Sequence, residues 1–229
     1  MPNFPENYPL EYRTGCVQFY WRNFIVTPDV LIPRLETECL VRKARETIHS
    51  LKSCTLIDIG TGSGIIPLSC SDILSIQEII CLDISSEALK VARENAESLQ
   101  IHVPITFHIS NLLESVLNSN IQLSDQPIVI TANLPYIKNE DWKNMSVDTR
   151  FEPKIALFGG KVHGFELYEQ LFLQLLELKK CTLQTITIII EFGFDQNQIA
   201  KDILSQYPWD SEFFSDYSGI ERFAQVDIK

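Results

Sequence analysis

The sequence predicts an α/β protein with a mostly parallel, seven-stranded sheet covered by helices on both faces, an antiparallel C-terminal strand and an N-terminal β-hairpin. Three observations carry this prediction. Short runs of apolar, β-branched residues alternate with longer stretches of helical period from residue 36 onward. The first of these strands runs straight into a turn containing Gly60, Gly62 and Gly64, which opens a helix. The last two strand segments lie too close in sequence for the crossover that parallel pairing requires, so they pair antiparallel. A chain of 229 residues, 45% hydrophobic and 21% charged, can bury a core of this kind.

Taken in order, the first eight residues, with Pro2, Asn3, Pro5 and Asn7, read as an irregular lead-in. Residues 19–26 are aromatic and branched with Arg22 and Asn23 at their middle, the pattern of a hairpin. Pro33 precedes an amphipathic helix over about 36–50, where Leu40, Ala44 and Ile48 fall on one face. A buried strand over 55–59 leads through the glycine turn into a helix over about 64–74, and 78–82 is the second strand. Ser86 is expected to cap a helix running to about Leu99, with Ala88, Val91, Ala92 and Ala96 facing inward. Strands follow over 105–109, 128–132 and 186–191, separated by helices near 165–179 and 196–206. Phe213–Phe214 and 223–228 form the closing antiparallel pair around Ser218-Gly219. Residues 1–34 thus make up the lead-in and hairpin, and 35–229 the α/β domain.

Bulk properties argue against several classes. The net charge of −11, from 30 acidic and 19 basic residues, opposes long-range attraction to phosphates and favours a protein or small-molecule substrate. Apolar stretches such as 186–190 fall far short of a bilayer span. The N-terminus has neither the basic nor the apolar segment of a secretory signal, so a cytoplasmic protein without a membrane is expected. Six cysteines (Cys16, Cys39, Cys54, Cys70, Cys81, Cys181) are scattered with no C-x-x-C pair and read as reduced, mostly buried residues. The four histidines are equally dispersed, and no metal is expected.

Three motifs carry chemistry. Gly60-Thr61-Gly62-Ser63-Gly64 follows apolar strand residues, and glycine there lets backbone approach a ligand without a Cβ in the way. A dinucleotide fingerprint would place its third glycine one residue later, where Ile65 stands, so the spacing fits S-adenosylmethionine better than NAD. Asp83 ends the next strand, 21 residues beyond Gly62, where a carboxylate can accept from both ribose hydroxyls. Taken alone it is as readily a helix-initiating turn residue. Asn133-Leu134-Pro135-Tyr136 follows the strand over 128–132. Asn and Pro are common in turns. At a strand's carboxyl end, however, the Asn133 side-chain oxygen and the Leu134 carbonyl can each accept one N–H of a planar NH₂ group, with Tyr136 covering its face.

From about Pro9 to the C-terminus the chain resembles the protein-(glutamine-N5) methyltransferases that modify peptide chain release factors. Pro9-Leu10-Glu11-Tyr12 with Thr14-Gly15 looks like the family's P-L-x-Y-x-x-G, and Val30 to Glu38 (VLIPRLETE) closely matches V-L-I-P-R-P-E-T-E. Glu152-Pro153, Ala156-Leu157 and Gly159-Gly160 match E-P-x-x-A-L-x-G-G, and Asp216, Gly219 and Arg222 match D-x-x-G-x-x-R. The resemblance implies a class I, Rossmann-like, S-adenosylmethionine-dependent fold in which Gly60, Thr61, Gly62, Ser63 and Gly64 line the methionine part of the cofactor and Asp83 its ribose. It places Asn111 and Leu112 against the adenine. Asn133, Leu134, Pro135 and Tyr136 then hold the substrate glutamine, with Asn133 also bordering the cofactor. Arg34, Thr37 and Glu38 brace the site. The implied substrate is a release factor carrying a Gly-Gly-Gln loop.

This sequence departs from that pattern at four points. Leu134 replaces the first proline of N-P-P-Y, Asn111 an aspartate, and His163 the acid of G-x-D-G. The family's N-terminal helical domain has no counterpart here, so docking is expected to rest on the hairpin and the loops near Asn133, or on a separate partner protein. A non-catalytic binding module that keeps only the fold is disfavoured by the intact glycines and Asn133, and two further rival readings stay open. N-L-P-Y is also the form in adenine-N6 methyltransferases of RNA or DNA, where the same acceptors hold an exocyclic amine and Tyr136 stacks on the base. The other keeps glutamine but places it in a ribosomal protein.

Overall fold

The computed structural model describes residues 4–228; Met1–Asn3 and Lys229, and with them the Pro2 and Asn3 part of the expected lead-in, lie outside the described residues. The elements run α1 (Leu10–Thr14), β1 (Cys16–Phe19), β2 (Arg22–Ile25), α2 (Thr37–His49), β3 (Cys54–Ile59), α3 (Ile65–Cys70), β4 (Ile76–Asp83), α4 (Ser86–Ser98), β5 (Ile105–Ile109) and α5 (Glu114–Leu117). They continue through β6 (Ile128–Asn133), β7 (Ile137–Lys138), β8 (Phe158–Gly160), α6 (Glu166–Cys181), β9 (Ile186–Glu191), α7 (Asn197–Leu204), β10 (Asp210–Ser215) and β11 (Glu221–Ile228). Three short 3-10 turns fill the stretch between β7 and β8.

Seven strands form one sheet in the order β10-β11-β9-β6-β3-β4-β5. β3, β4, β5, β6 and β9 pair in parallel, and β11 runs antiparallel to both β9 and β10. The expected sheet, with its antiparallel C-terminal strand, is the one observed. Order reverses at β3, whose neighbours are β4 on one side and β6 on the other. A crevice opens at such a switch point, beyond the carboxyl ends of the strands.

Alternation along the strands divides the core. Ile57, Ile59, Ile80, Ile130 and Ile188 meet Phe165, just before α6, and the aromatic face of α6 (Tyr168, Phe172), together with Leu204 of α7. Leu56, Ile79, Val129 and Ile189 point the other way, onto Leu40, Ala44 and Ile48 of α2 and Leu68 of α3. Phe19 and Phe24 of the hairpin join that second cluster. The period-2 pattern and the 3.6-period pattern thus interlock on both faces.

Several local features differ from expectation. The hairpin turn is Tyr20-Trp21, both in the left-handed region (φ 43° and 64°), so Arg22 and Asn23 sit in β2 opposite Phe19 and Gln18. This two-residue turn matches the strands' twist, and the Tyr20 N–H donates to Glu38 Oε1 at 2.9 Å. The cap of α4 is Ser85, not Ser86: the Ser85 hydroxyl accepts from Ala88 N at 3.1 Å. α1, α5, β7 and β8 are additional to the expected elements; none exceeds five residues, too few to show a period. Four cysteines are buried, while Cys16 and Cys181 are exposed, and all six are free.

One buried side chain joins three elements. Asn95, on the inner face of α4, accepts from Ile25 N (2.6 Å) and donates to Ile25 O and Ser63 O (2.9 Å each). It thereby fastens both the hairpin and the glycine turn to α4. Asn95→Leu keeps the volume but strands three backbone polar groups, at a cost of about 3 kcal/mol. For a chain of this size the melting temperature should fall by ~6–12 °C. A calorimetric scan within a degree or two of wild type would contradict this.

Candidate active site

The turn after β3 is built by backbone conformation. Gly60, Gly62 and Gly64 all lie in the left-handed region (φ 68°, 54° and 80°), which a Cβ disfavours. Gly60 N and Thr61 N both donate to Leu82 O, at 2.8 and 3.0 Å, tying the turn to the end of β4. Asp83 completes the tie. Its Oδ2 accepts from Gly62 N at 2.8 Å and its Oδ1 from Ser85 N at 2.9 Å. Each oxygen keeps a lone pair free, and burial pushes the carboxyl up from its ordinary value against those backbone donors.

Asn133 to Tyr136 leave β6 under tight restraint. Leu134 N donates to the Tyr168 hydroxyl at 3.0 Å, and that hydroxyl donates in turn to the carbonyl of Glu191. The buried Leu134 side chain packs over Gly60, where an added Cβ would meet it at 3.0 Å. Among the described residues the Leu134 carbonyl has no hydrogen-bond donor. Above this segment, β8 and the loop after it come very close. A Cβ on Gly159 would lie 2.2 Å from Pro135 O, and one on Gly164 would lie 2.1 Å from Tyr136 O. Gln196 locks the layers: its amide donates to Tyr136 O (2.9 Å) and His163 O (2.8 Å) and accepts from Gly193 N.

Beneath the loops lie buried charges. Asp58 is wholly buried and its carboxyl is pushed up to about 7 by desolvation, although the Thr131 hydroxyl donates to it at 2.6 Å. Glu191 is likewise pushed up to about 7 by burial, opposed by the nearby Thr37 hydroxyl and by the charge of Arg222. Arg222 lies 2.9 Å from Asp216, whose other oxygen accepts from Ser218 N and Ile220 N. Arg34 pairs with buried Glu152 at 2.5 Å, and Glu152 also accepts from Ile32 N at 3.0 Å. The Leu-Ile-Pro-Arg segment is thus strapped to the Glu-Pro motif.

These parts border a cavity of about 680 Å³. Gly60, Thr61, Gly62, Ser63, Asp83, Asn111, Leu112, Asn133, Leu134 and Pro135 all line it. Gly64 instead packs on Leu68 and Ala92. Tyr136 faces an adjoining cavity of about 220 Å³, and Asn133 and Leu134 border both. Asn111 donates to Glu114 Oε1 at 2.9 Å, leaving its own oxygen free; an aspartate there would oppose two carboxylates. His163 stands beside Glu166 and Glu169 rather than replacing their charge.

Tyr168, Gln196, Gly164 and Glu191 were not singled out by the sequence, since each reads as an ordinary helix, loop or strand residue. Asn133 is paired across the sheet with Glu191, so the only available signal was that both close a parallel strand.

Comparison with known proteins places this geometry in context. The family model of ribosomal protein L11 methyltransferase (PrmA) matches residues 37–134. The release factor glutamine methyltransferase of Enterococcus faecalis is 35% identical over 221 residues, which span 95% of this chain and 75% of that protein. Among solved structures, the hMettl16 catalytic domain in complex with MAT2A 3'UTR hairpin 1 superimposes with a TM-score of 0.65 at 16% identity, covering 87% of this chain and 71% of that one. SMU.1697c of Streptococcus mutans, solved in complex with SAH, gives 0.52 at 14% identity, over 86% and 99%. At such identities the two structures establish the shared fold.

The buried carboxyls fix a pH dependence. Asp58 and Glu191 titrate near 7 in the folded protein against ordinary values of 3.8 and 4.5. The folded state therefore binds more protons than the unfolded one between about pH 4 and 7. Stability from these groups is greatest at the acid end, falls as pH rises to about 7, and is level beyond. Asp58→Asn should remove one contribution, flattening the fall in melting temperature between pH 5 and 8 by about 5 °C, the equivalent of ~2 kcal/mol. Parallel profiles for wild type and variant would rule this out.

Proposed function

The chain belongs to the release factor glutamine methyltransferase family, and we propose that it transfers a methyl group from S-adenosylmethionine to the side-chain amide nitrogen of a glutamine in the Gly-Gly-Gln loop of a peptide chain release factor. The observation that carries this reading is the meeting of the two cavities at Asn133 and Leu134. The larger holds the glycine turn and Asp83, and the smaller holds Tyr136 and Arg34. A cofactor in the first and a planar amide in the second would face each other across Asn133 and Leu134.

The residues present fit the cofactor. The free lone pairs of Asp83 suit two ribose hydroxyls, and the loop of Gly60, Thr61, Gly62 and Ser63 offers backbone without bulk to the amino-acid end. The free oxygen of Asn111 and the apolar side chain of Leu112 suit the adenine. S-adenosylmethionine, when bound, supplies the electrophilic methyl group. The chain's own residues supply orientation and electrostatics. An amide nitrogen is a weak nucleophile because its lone pair is delocalised into the carbonyl. The Asn133 side-chain oxygen and the Leu134 carbonyl, each accepting one N–H, stabilise the positive charge that grows on that nitrogen. Preorganised dipoles of this kind are worth ~2–4 kcal/mol each, by analogy with oxyanion donors of opposite sign. Tyr136 covers the amide face and Pro135 stiffens the loop. No general base is required, because an N-alkylated amidium gives its proton readily to water.

The flanking glycines of a Gly-Gly-Gln loop would let its backbone fold into the smaller cavity, whose volume of about 220 Å³ leaves no room for bulky neighbours. The hairpin, with Trp21 fully exposed at its tip, and the loops near Asn133 offer the docking surface.

Incubation of a bacterial-type release factor with the protein and S-adenosylmethionine should yield N5-methylglutamine by mass spectrometry, lost in the factor's Gln→Ala variant. Label found only in RNA, or methylation persisting in that variant, would refute the assignment. Asp83→Ala should weaken binding of S-adenosylhomocysteine at least tenfold by calorimetry, since a charged hydrogen bond is worth ~1.5–3 kcal/mol. Asn133→Ala should leave that binding intact while turnover falls ~10²-fold.

A further inference from the structure

We infer that Trp142 is a cofactor-binding residue, an aromatic wall against which the adenine ring of S-adenosylmethionine lies. The inference rests on the adenine lying beside Leu112, and it concerns a side chain that no sequence motif marks. Trp142 belongs to the 3-10 turn Asn139–Asn144, between β7 and β8. Phe158 of β8 packs against it with ring centroids 5.8 Å apart. The Lys154 ammonium lies over its ring, 4.7 Å from the centroid. Arg150 donates to the carbonyls of Lys143 (3.1 Å) and Met145 (3.2 Å), which ties down the end of the turn. At its start, β7 pairs with β8, and Ile137 N donates to Leu157 O at 2.9 Å. A side chain held in this way has little rotamer freedom left to lose on binding a ligand. Trp142 is nevertheless only half-buried, and it lines the larger cavity.

One wall of that cavity connects Trp142 with the adenine residues. Leu113 N, directly after Asn111 and Leu112, donates to Gln174 Oε1 at 2.7 Å, which seats these residues on α6. Leu167, about two turns earlier on the same helix, lines the cavity as well. Phe158 lines it next to Trp142. Leu112, Leu167, Phe158 and Trp142 thus present apolar and aromatic surface without a charge among them. Such a wall suits a flat, neutral heteroaromatic ring. It does not suit the charged amino-acid end of the cofactor, for which the backbone of the glycine turn is available.

The cofactor offers an indole two groups to hold: the adenine plane, by stacking, and the sulfonium, by attraction to the ring's electron-rich face. Lys154 decides between them. Its ammonium already lies over the ring, so a sulfonium brought to the same indole would meet a like charge nearby and compete for the same ring electrons. A neutral adenine meets neither penalty. Trp142 therefore reads the nucleoside, which S-adenosylmethionine and its demethylated product share, and not the charge that distinguishes them.

The test uses calorimetry and fluorescence on the full chain, with S-adenosylmethionine and S-adenosylhomocysteine as probes. Trp142→Ala should weaken binding of both by the same factor, ~10-fold, the usual scale of an aromatic–base stack in alanine substitutions. Trp142→Phe, which keeps a ring, should retain most of the affinity. S-adenosylhomocysteine should change the tryptophan fluorescence of wild type, and that change should vanish in Trp142→Phe. The other two tryptophans lie outside the cavity, Trp21 at the hairpin tip and Trp209 stacked on Tyr207. Affinity for S-adenosylhomocysteine within twofold of wild type in Trp142→Ala overturns the proposal. So does a loss confined to S-adenosylmethionine, which would assign the ring to the sulfonium, or a fluorescence change that persists in Trp142→Phe. If Asp83→Ala weakens binding and Trp142→Ala does not, the cofactor site stands and only the role of Trp142 falls. If wild type binds neither probe, the cofactor site itself is wrong and the proposal falls with it.

Discussion

Because β3 pairs in parallel with β4 on one side and β6 on the other, the chain leaves all three strands at one edge of the sheet. Ile59 lies level with both Leu82 and Ala132, so the residues that follow are Gly60, Asp83 and Asn133. Every other feature of the site depends on that alignment. The glycine turn donates to Leu82 O, Asp83 accepts from Gly62, and Leu134 packs over Gly60. A shift of one residue in either pairing would turn these groups to the opposite face. The buried apolar faces of β3 prevent it, since every residue of this strand is buried.

The polar groups under the site are arranged by depth. Asp83 lines the cavity and accepts from the backbone of Gly62 and Ser85. Asp58 and Glu191 lie below, wholly enclosed, where charge is expensive, and the Thr131 hydroxyl donates to Asp58. Their cost is tolerated at the strand ends that face the cavity. Arg222 and Arg34 limit it for Glu191, and each is itself neutralised by a second acid, Asp216 or Glu152. The ion pairs thus also pin two loops, the turn before β11 and the Leu-Ile-Pro-Arg segment, to the body of the protein.

The departures from the family pattern are accommodated locally. Leu134 lacks the rigidity of proline, yet its side chain is buried against Gly60 and its N–H is used by Tyr168, a bond that proline could not make. Asn111 is suited to its neighbour Glu114. The close stacking of β8 and Gly164 on Pro135 and Tyr136 restrains the loop from above.

The order of strands and helices, the antiparallel closing pair, and the place of Gly60, Asp83 and Asn133 at the ends of strands were legible in the sequence. Each rests on a local signal: a two- or 3.6-residue period, a glycine triplet, an acid or amide closing a strand. The hairpin turn and the cap of α4 were misplaced by one or two residues, because positive φ at Tyr20 and Trp21 and the choice between adjacent serines depend on packing. Thr37 was named only through the family motif that holds it, and Glu191, Tyr168 and Gln196 carried no such signal. Their neighbours are 96, 58, 34 and 60 residues away (Asn133 for the first two, then Leu134 and Tyr136). A contact between residues so distant in sequence leaves no period or composition to read. The sequence determined the fold and which residues close its strands; the tertiary structure alone decided which buried groups lie beside them, because only the packed sheet brings those groups together.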